Sequence, residues 1–85
     1  MPIISRFYGI IIMMYWRDHS PPHFHARYGE YEIEMDIRGG KWRGTMPRRE
    51  LTLIDAWRKG HIDDLLLDWT SAQNSEPLMS IKPLE

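Results

Sequence analysis

Residues 23 to 37 alternate with a period of two. Phe24, Ala26 and Tyr28 fall on one side of an extended chain, and His23, His25 and Arg27 on the other. Gly29-Glu30 is a two-residue hairpin signal of the Gly-X kind. Tyr31, Ile33, Met35 and Ile37 then alternate with Glu32, Glu34 and Asp36. A turn at Gly29-Glu30 sets the register. Tyr28 meets Tyr31, Ala26 meets Ile33 and Phe24 meets Met35 on the apolar face. Arg27 meets Glu32, His25 meets Glu34 and His23 meets Asp36 on the polar face.

Upstream, Ile10 to Trp16 is a continuous apolar run, too short for a stable helix alone, and reads as a strand buried on both faces. Pro2 to Ser5 suits a short edge strand, with a turn at Phe7-Tyr8-Gly9. Asp18-His19-Ser20-Pro21-Pro22 is a rigid loop. It pairs Arg17 with His23 and Tyr15 with His25. Ile10, Ile12, Met14 and Trp16 then face the core, and Ile11, Met13, Tyr15 and Arg17 the polar side. Arg38 to Lys41 is a second turn, and Trp42-Arg43 starts a short fourth strand.

The period then changes. Pro47 opens a helix whose stripe is Leu51, Ile54, Trp57 and Arg58, widened by Leu53, and Gly60 ends it. A second helix runs from about Ile62 to Ala72 with Ile62, Leu65, Leu66 and Trp69 on one side. Asp63 and Asp64 lie in its first turn, where the helix dipole favours anions. The tail 74–85 has two prolines but carries Leu78, Met79, Ile81 and Leu84, enough to dock. Strands over about 2–44 and helices over about 47–73 predict an α+β fold. It is an antiparallel three- to four-stranded meander with two helices packed on one face.

Composition narrows the function. The 85 residues make one small domain, 1–85, with no room for a doubly wound nucleotide-binding sheet. Eleven Lys and Arg against twelve Asp and Glu leave a net charge of -1, unlike a polycation that coats nucleic acid. The absence of cysteine excludes disulfides, thiolate zinc sites and a Cys nucleophile, and fits a cytoplasmic protein. The longest apolar run, Ile10 to Trp16, is far short of the roughly 18 residues of a membrane span. Arg6 precedes the apolar stretch 7–16 as in a secretory leader, but Arg17-Asp18 follows without a small-residue cleavage site. A strand of the mature protein is expected.

Certain motifs resemble a known family. Met1-Pro2-x-Ile4-Ser5-x-Phe7-Tyr8-Gly9-Ile10, Asp18-His19-x-Pro21-Pro22-His23-Phe24-His25-Ala26 and Tyr28-Gly29-Glu30-Tyr31 carry the resemblance, with Pro47-Arg48, Trp57, Trp69 and Ile81-x-Pro83-Leu84 behind them. Together they resemble, over essentially the whole chain, the small bacterial proteins catalogued as domain of unknown function 4160. Relatives often carry a basic or polar residue where this chain has Met13. The family has no established activity. Its members are typically encoded beside another small protein of unknown function, in an arrangement similar to a toxin–antitoxin pair.

Chemistry concentrates in two places. Asp18, His19, His23 and His25 form a dense cluster of potential ligands. His-x-His on a strand puts both imidazoles on one face, about 7 Å apart at the backbone. Asp18 or His19 from the loop, or Glu34 or Asp36 across the hairpin, could complete a site for a divalent transition metal: zinc, iron or nickel. The same pair suits acid and base in proton transfer, with Arg17 or Arg27 holding a phosphate. The plain reading is two cross-strand pairs, His25–Glu34 and His23–Asp36, that only orient their rings. The second place is Arg38, Lys41, Arg43, Arg48 and Arg49 around Trp42, where charge could follow phosphates and the indole stack on a base of single-stranded RNA. Its plain reading is a solvated turn running into a helix end.

The uncovered sheet face mixes Ile11, Met13 and Tyr15 with charge, as a homodimer or partner interface does. The expectation is a protein-binding component of a two-gene module, meeting its own copy or a small cognate protein encoded nearby. The alternatives are an RNA-cleaving toxin using His23 and His25, which needs the His pair and the basic turn in one cleft, and a metal site at His19, His23 and His25.

Overall fold

The computed structural model describes residues 2–85; Met1 of the opening motif lies outside them. Strands β1 (Ile3–Phe7), β2 (Ile10–Met13), β3 (His23–Tyr28), β4 (Tyr31–Asp36) and β5 (Trp42–Thr45) precede helices α1 (Arg48–Gly60) and α2 (Ile62–Gln73). The strands form one antiparallel meander in chain order. The expected α+β layout holds, with five strands rather than three or four. The fifth strand is the short edge strand at the start of the chain, which runs beyond the expected Ser5. Tyr8 and Gly9 both take positive φ, 49° and 79°, which closes a tight two-residue hairpin and lets β1 run to Phe7.

The β3–β4 hairpin has the expected register at all six positions, from Tyr28–Tyr31 to His23–Asp36. Gly29 supplies the positive φ, 59°, that this turn needs at its first central residue. Phe24, Ala26, Ile33 and Met35 go to the core, and the His residues to the other face.

The β2–β3 register differs from expectation. Met13, not Tyr15, pairs with His25, and Ile11 pairs with Arg27. The shift is two residues, an even number, so Ile10, Ile12 and Met14 still reach the core. The strand stops at Met13 because the following backbone is captured elsewhere. Arg17 adopts a left-handed φ of 57°, and its amide donates to the Ala72 carbonyl at the end of α2 (3.1 Å). Trp16 is therefore not a core residue. It is 47% exposed, and its indole N–H donates to the Glu76 carbonyl.

Trp57 anchors the helices on the sheet. It is fully buried between Phe7 and Phe24, at ring separations of 5.5 and 5.7 Å. Its indole N–H donates to the Lys82 carbonyl. Truncating such a residue costs about 3–5 kcal/mol, a large part of a small domain's stability. Arg58, also buried, donates to the carbonyls of Ile37 and Arg38 and pairs with Asp55, which ties α1 to the turn before β5. In the tail, Leu78, Ile81 and Leu84 pack against the core, whereas Met79, expected to dock with them, is 59% exposed. Ile81 is buried, and its amide donates to the Ile4 carbonyl (2.7 Å), so the tail covers the outer edge of β1.

Asp68 also holds the tail. One carboxylate oxygen accepts the Met79 amide, while Oδ2 is buried without a partner. Burial raises its pKa above the ordinary carboxylate value, and the negative charge of Asp64 adds to this against the Met79 hydrogen bond. A raised folded pKa means that the fold holds a proton the unfolded chain releases. The stability from this group is present below the unfolded value and lost as pH rises through the folded one. Asp68→Asn keeps the acceptor without the charge. It should unfold at higher urea than the wild type near pH 7, and the gap should close towards about pH 4 in urea titrations.

Candidate metal centre

The central strand β3 carries both imidazoles on the side opposite Phe24 and Ala26, and Trp69 of α2 reaches round to the His23 ring at 5.2 Å. Met14 to Pro22 then bends back over that face. Tyr15 meets the His25 ring edge-on at 4.3 Å, and Asp18 reaches both histidines. His23 is 1% exposed and His25 8%.

Four side chains converge. Asp18 Oδ2 lies 2.9 Å from His23 Nε2 and 3.3 Å from His25 Nε2. Glu34 Oε1 comes from β4, 3.5 Å from His23 Nε2 and 3.9 Å from His25 Nε2. One donor atom from each of the four lies within 4.8 Å of the rest. Ligands held about 2.0–2.2 Å from a tetrahedral ion sit roughly 3.3–3.6 Å apart, so small adjustments would centre a cation.

The hydrogen-bond inventory says more than the distances. His23 Nδ1 lies 2.8 Å from the Pro21 carbonyl, which can only accept. Nδ1 therefore carries the hydrogen. In the neutral ring the lone pair is then on Nε2, which faces the Asp18 carboxylate. Two acceptors 2.9 Å apart require a positive particle between them, a proton or a metal ion. A ligand histidine whose other nitrogen donates to a backbone carbonyl is the common arrangement around bound metals.

Asp18 is held as an anion. Burial alone would raise its pKa. The His19 amide, the His25 and His23 hydrogen bonds and the charge of His23 outweigh this and leave it below the ordinary value. Its outer oxygen, Oδ1, accepts from the His19 amide and lies 2.9 Å from His19 Nδ1. His19, largely exposed, thus meets the far side of Asp18 and is not among the four converging donors.

The other expected site residues fall in several places. Asp36, opposite His23 in register, turns instead to Arg43 (3.1 Å). Arg43 also donates to Glu34 Oε2, so it orients Glu34 from behind. Arg27 pairs with Glu32. Arg17 donates to Ser75 Oγ. Arg38 and Lys41 are exposed in the turn, Arg48 is exposed in the first turn of α1, and Arg49 pairs with Glu50. Trp42 pairs with Met35 and Arg43 with Glu34, so successive β5 side chains point to opposite faces. Of the basic cluster only Arg43 joins the histidines. The single cleft that an RNA-cleaving site needs from the His pair and the whole basic turn is not assembled.

With this geometry in place, the comparison with known proteins adds a family. The profile described as "Domain of unknown function (DUF4160)" matches residues 9–70. The chain belongs to the DUF4160 family. No curated protein and no solved structure matches it. Within the matched stretch the DUF4160 domain contains all four converging residues, whereas β1 and the tail that covers it lie outside.

Sequence reasoning missed Gln73 and Ser75. Gln73 Nε2 donates to the Asp18 carbonyl (2.9 Å) and Ser75 Oγ accepts from Arg17. No local pattern marks them, because their partners are 55 and 58 residues away.

Asp18 gives a second pH prediction of opposite sign. A depressed folded pKa contributes stability above the unfolded value of 3.8, lost as pH falls through the folded value. Asp18→Asn should lower the metal-free protein's stability by about 2 kcal/mol at neutral pH. The difference from wild type should shrink on acidification, as read by urea midpoints across the acid range.

Proposed function

We propose that this DUF4160 protein binds a divalent transition metal through Asp18, His23, His25 and Glu34. The observation that carries the reading is the convergence of four donor atoms within 4.8 Å, with His23 Nε2 2.9 Å from the Asp18 carboxylate, a contact that a metal ion or a proton bridges, and Nδ1 committed to the Pro21 carbonyl. Two imidazoles and two carboxylates suit zinc, iron or nickel rather than a soft Cu(I) site. Burial of both rings, Glu34 held by Arg43 and Asp18 held by His19 supply the outer support that such ligands need. Protein ligands alone fill four positions if all bind. Release of either carboxylate would open one to water or a substrate oxygen, which a bound ion would polarise as a Lewis acid.

Zinc titrated into untagged, chelator-treated protein should raise the melting temperature with one-to-one stoichiometry. At 100-fold over Kd the gain is about 2.7 kcal/mol. His23→Ala and His25→Ala should abolish the response, and Glu34→Gln should weaken it. Wild type unresponsive to zinc, iron and nickel alike would remove the metal reading.

A second reading makes the chain the protein-binding half of a two-gene module. It draws on the part of the second sheet face that the loop leaves open, where exposed Ile3 and half-buried Ile11 adjoin Arg27, Glu32 and Arg43. A homodimer or a complex with the small protein encoded beside its gene is the expected result in sedimentation. A monomer that also ignores that protein would overturn this reading.

A further inference from the structure

The residue that completes the metal centre is placed by the far end of the molecule. Asp18 is the only one of the four ligands outside a strand. Its backbone is gripped on both sides by the end of α2 and the residues just after it. The Arg17 amide donates to the Ala72 carbonyl, and Gln73 Nε2 donates to the Asp18 carbonyl. Next to them Arg17 Nε donates to Ser75 Oγ, and the Trp16 indole donates to the Glu76 carbonyl. Arg17 and Ser75, which meet at this contact, both hold left-handed φ, 57° and 56°. From α2, Trp69 lies against the His23 ring at 5.2 Å.

We propose that Gln73 and Ser75 are positioning residues of the metal centre, which set its affinity through Asp18 without touching the ion. The proposal rests on the metal reading above and adds a control point to it. Three ligands sit in a sheet whose register cannot slip by one residue without turning core residues outward. Asp18 sits in a loop, and its position relative to the imidazoles is set by these contacts. Loosening them leaves three donors in place and lets the fourth wander. The coupling is reciprocal: an ion that binds Asp18 must tighten the grip on α2 by the same factor. The site thereby reports to the tail, which leaves the hook at Glu76 and runs on to cover β1.

Gln73 and Ser75 are exposed, so their variants should fold. The test titrates metal-free wild type, Gln73→Ala, Gln73→Lys and Ser75→Gly with Co(II). It follows the visible absorption band and, separately, the urea midpoint without metal. Glycine at 75 suits the positive φ and removes the hydroxymethyl side chain that accepts from Arg17. Gln73→Ala is expected to weaken Co(II) about 10-fold and to change the band. Gln73→Lys, which keeps a donor, should recover most of the affinity. Ser75→Gly should fall between wild type and Gln73→Ala. Metal-free midpoints should stay close to wild type, and Co(II) should slow exchange of the Arg17 amide.

Equal affinity and an unchanged band in Gln73→Ala would overturn the positioning role and leave the metal site standing. Loss of metal-free stability in step with affinity, with no recovery in Gln73→Lys, would also overturn it, since the contacts would then only support the fold. A wild type that binds no Co(II), zinc, iron or nickel would overturn both readings.

Discussion

Strand β3 serves two faces at once, and the rest of the structure follows from that constraint. With a period of two, every core residue is followed by one on the other side. Phe24 and Ala26 go to the helices, and His23 and His25 go to the opposite face. The strand cannot slip by one residue to improve either surface without ruining the other. Its place in the middle of five strands, paired on both edges, makes the imidazole spacing as rigid as the core.

That rigidity makes the polar face costly in a domain of this size. A buried polar group without a partner costs about 1–3 kcal/mol, and the whole stability of such a domain is about 5–15 kcal/mol. Two nearly inaccessible imidazoles and a partly buried carboxylate are a poor choice for holding a sheet together. Threonine or valine at positions 23 and 25 would satisfy the strand more cheaply. A local choice that opposes stability, while every neighbouring residue supports the fold, points to chemistry at that place.

The parts legible in the sequence are those set by short-range periodicity. One turn at Gly29-Glu30 satisfies six pairs together, so the β3–β4 hairpin has a single solution, and Glu34 could be named as a partner of the His pair. The helices were legible through stripes that include Trp57 and Trp69. The misread parts have one cause. The run from Ile10 to Trp16 has the composition of a long strand, but its last residue and the next answer to the end of α2 and the residues after it. Trp16 and Arg17 find their partners at residues 72 to 76. A pattern in neighbouring residues carries no trace of such a contact. Beside the same long-range contact Asp18, rather than His19, turns inward, so the converging set was legible as a cluster but not as a geometry.

The DUF4160 match bears on how the two halves of the molecule divide the work. It spans residues 9–70, and so takes in the strands of the site and most of both helices. It stops short of Gln73 and Ser75 and leaves out β1 with the tail that covers it. The converging side chains thus lie in the stretch shared with the family, while the hook that places Asp18 lies just past its end. Donor chemistry and donor placement reside in different segments of the chain. A change in the hook can alter how firmly Asp18 is presented without touching a ligand, and a change in the tail can reach the hook through Glu76. In a domain with few residues to spare, joining the cluster to the C-terminal segment lets one set of hydrogen bonds close over the sheet's second face and hold its one loop-borne carboxylate.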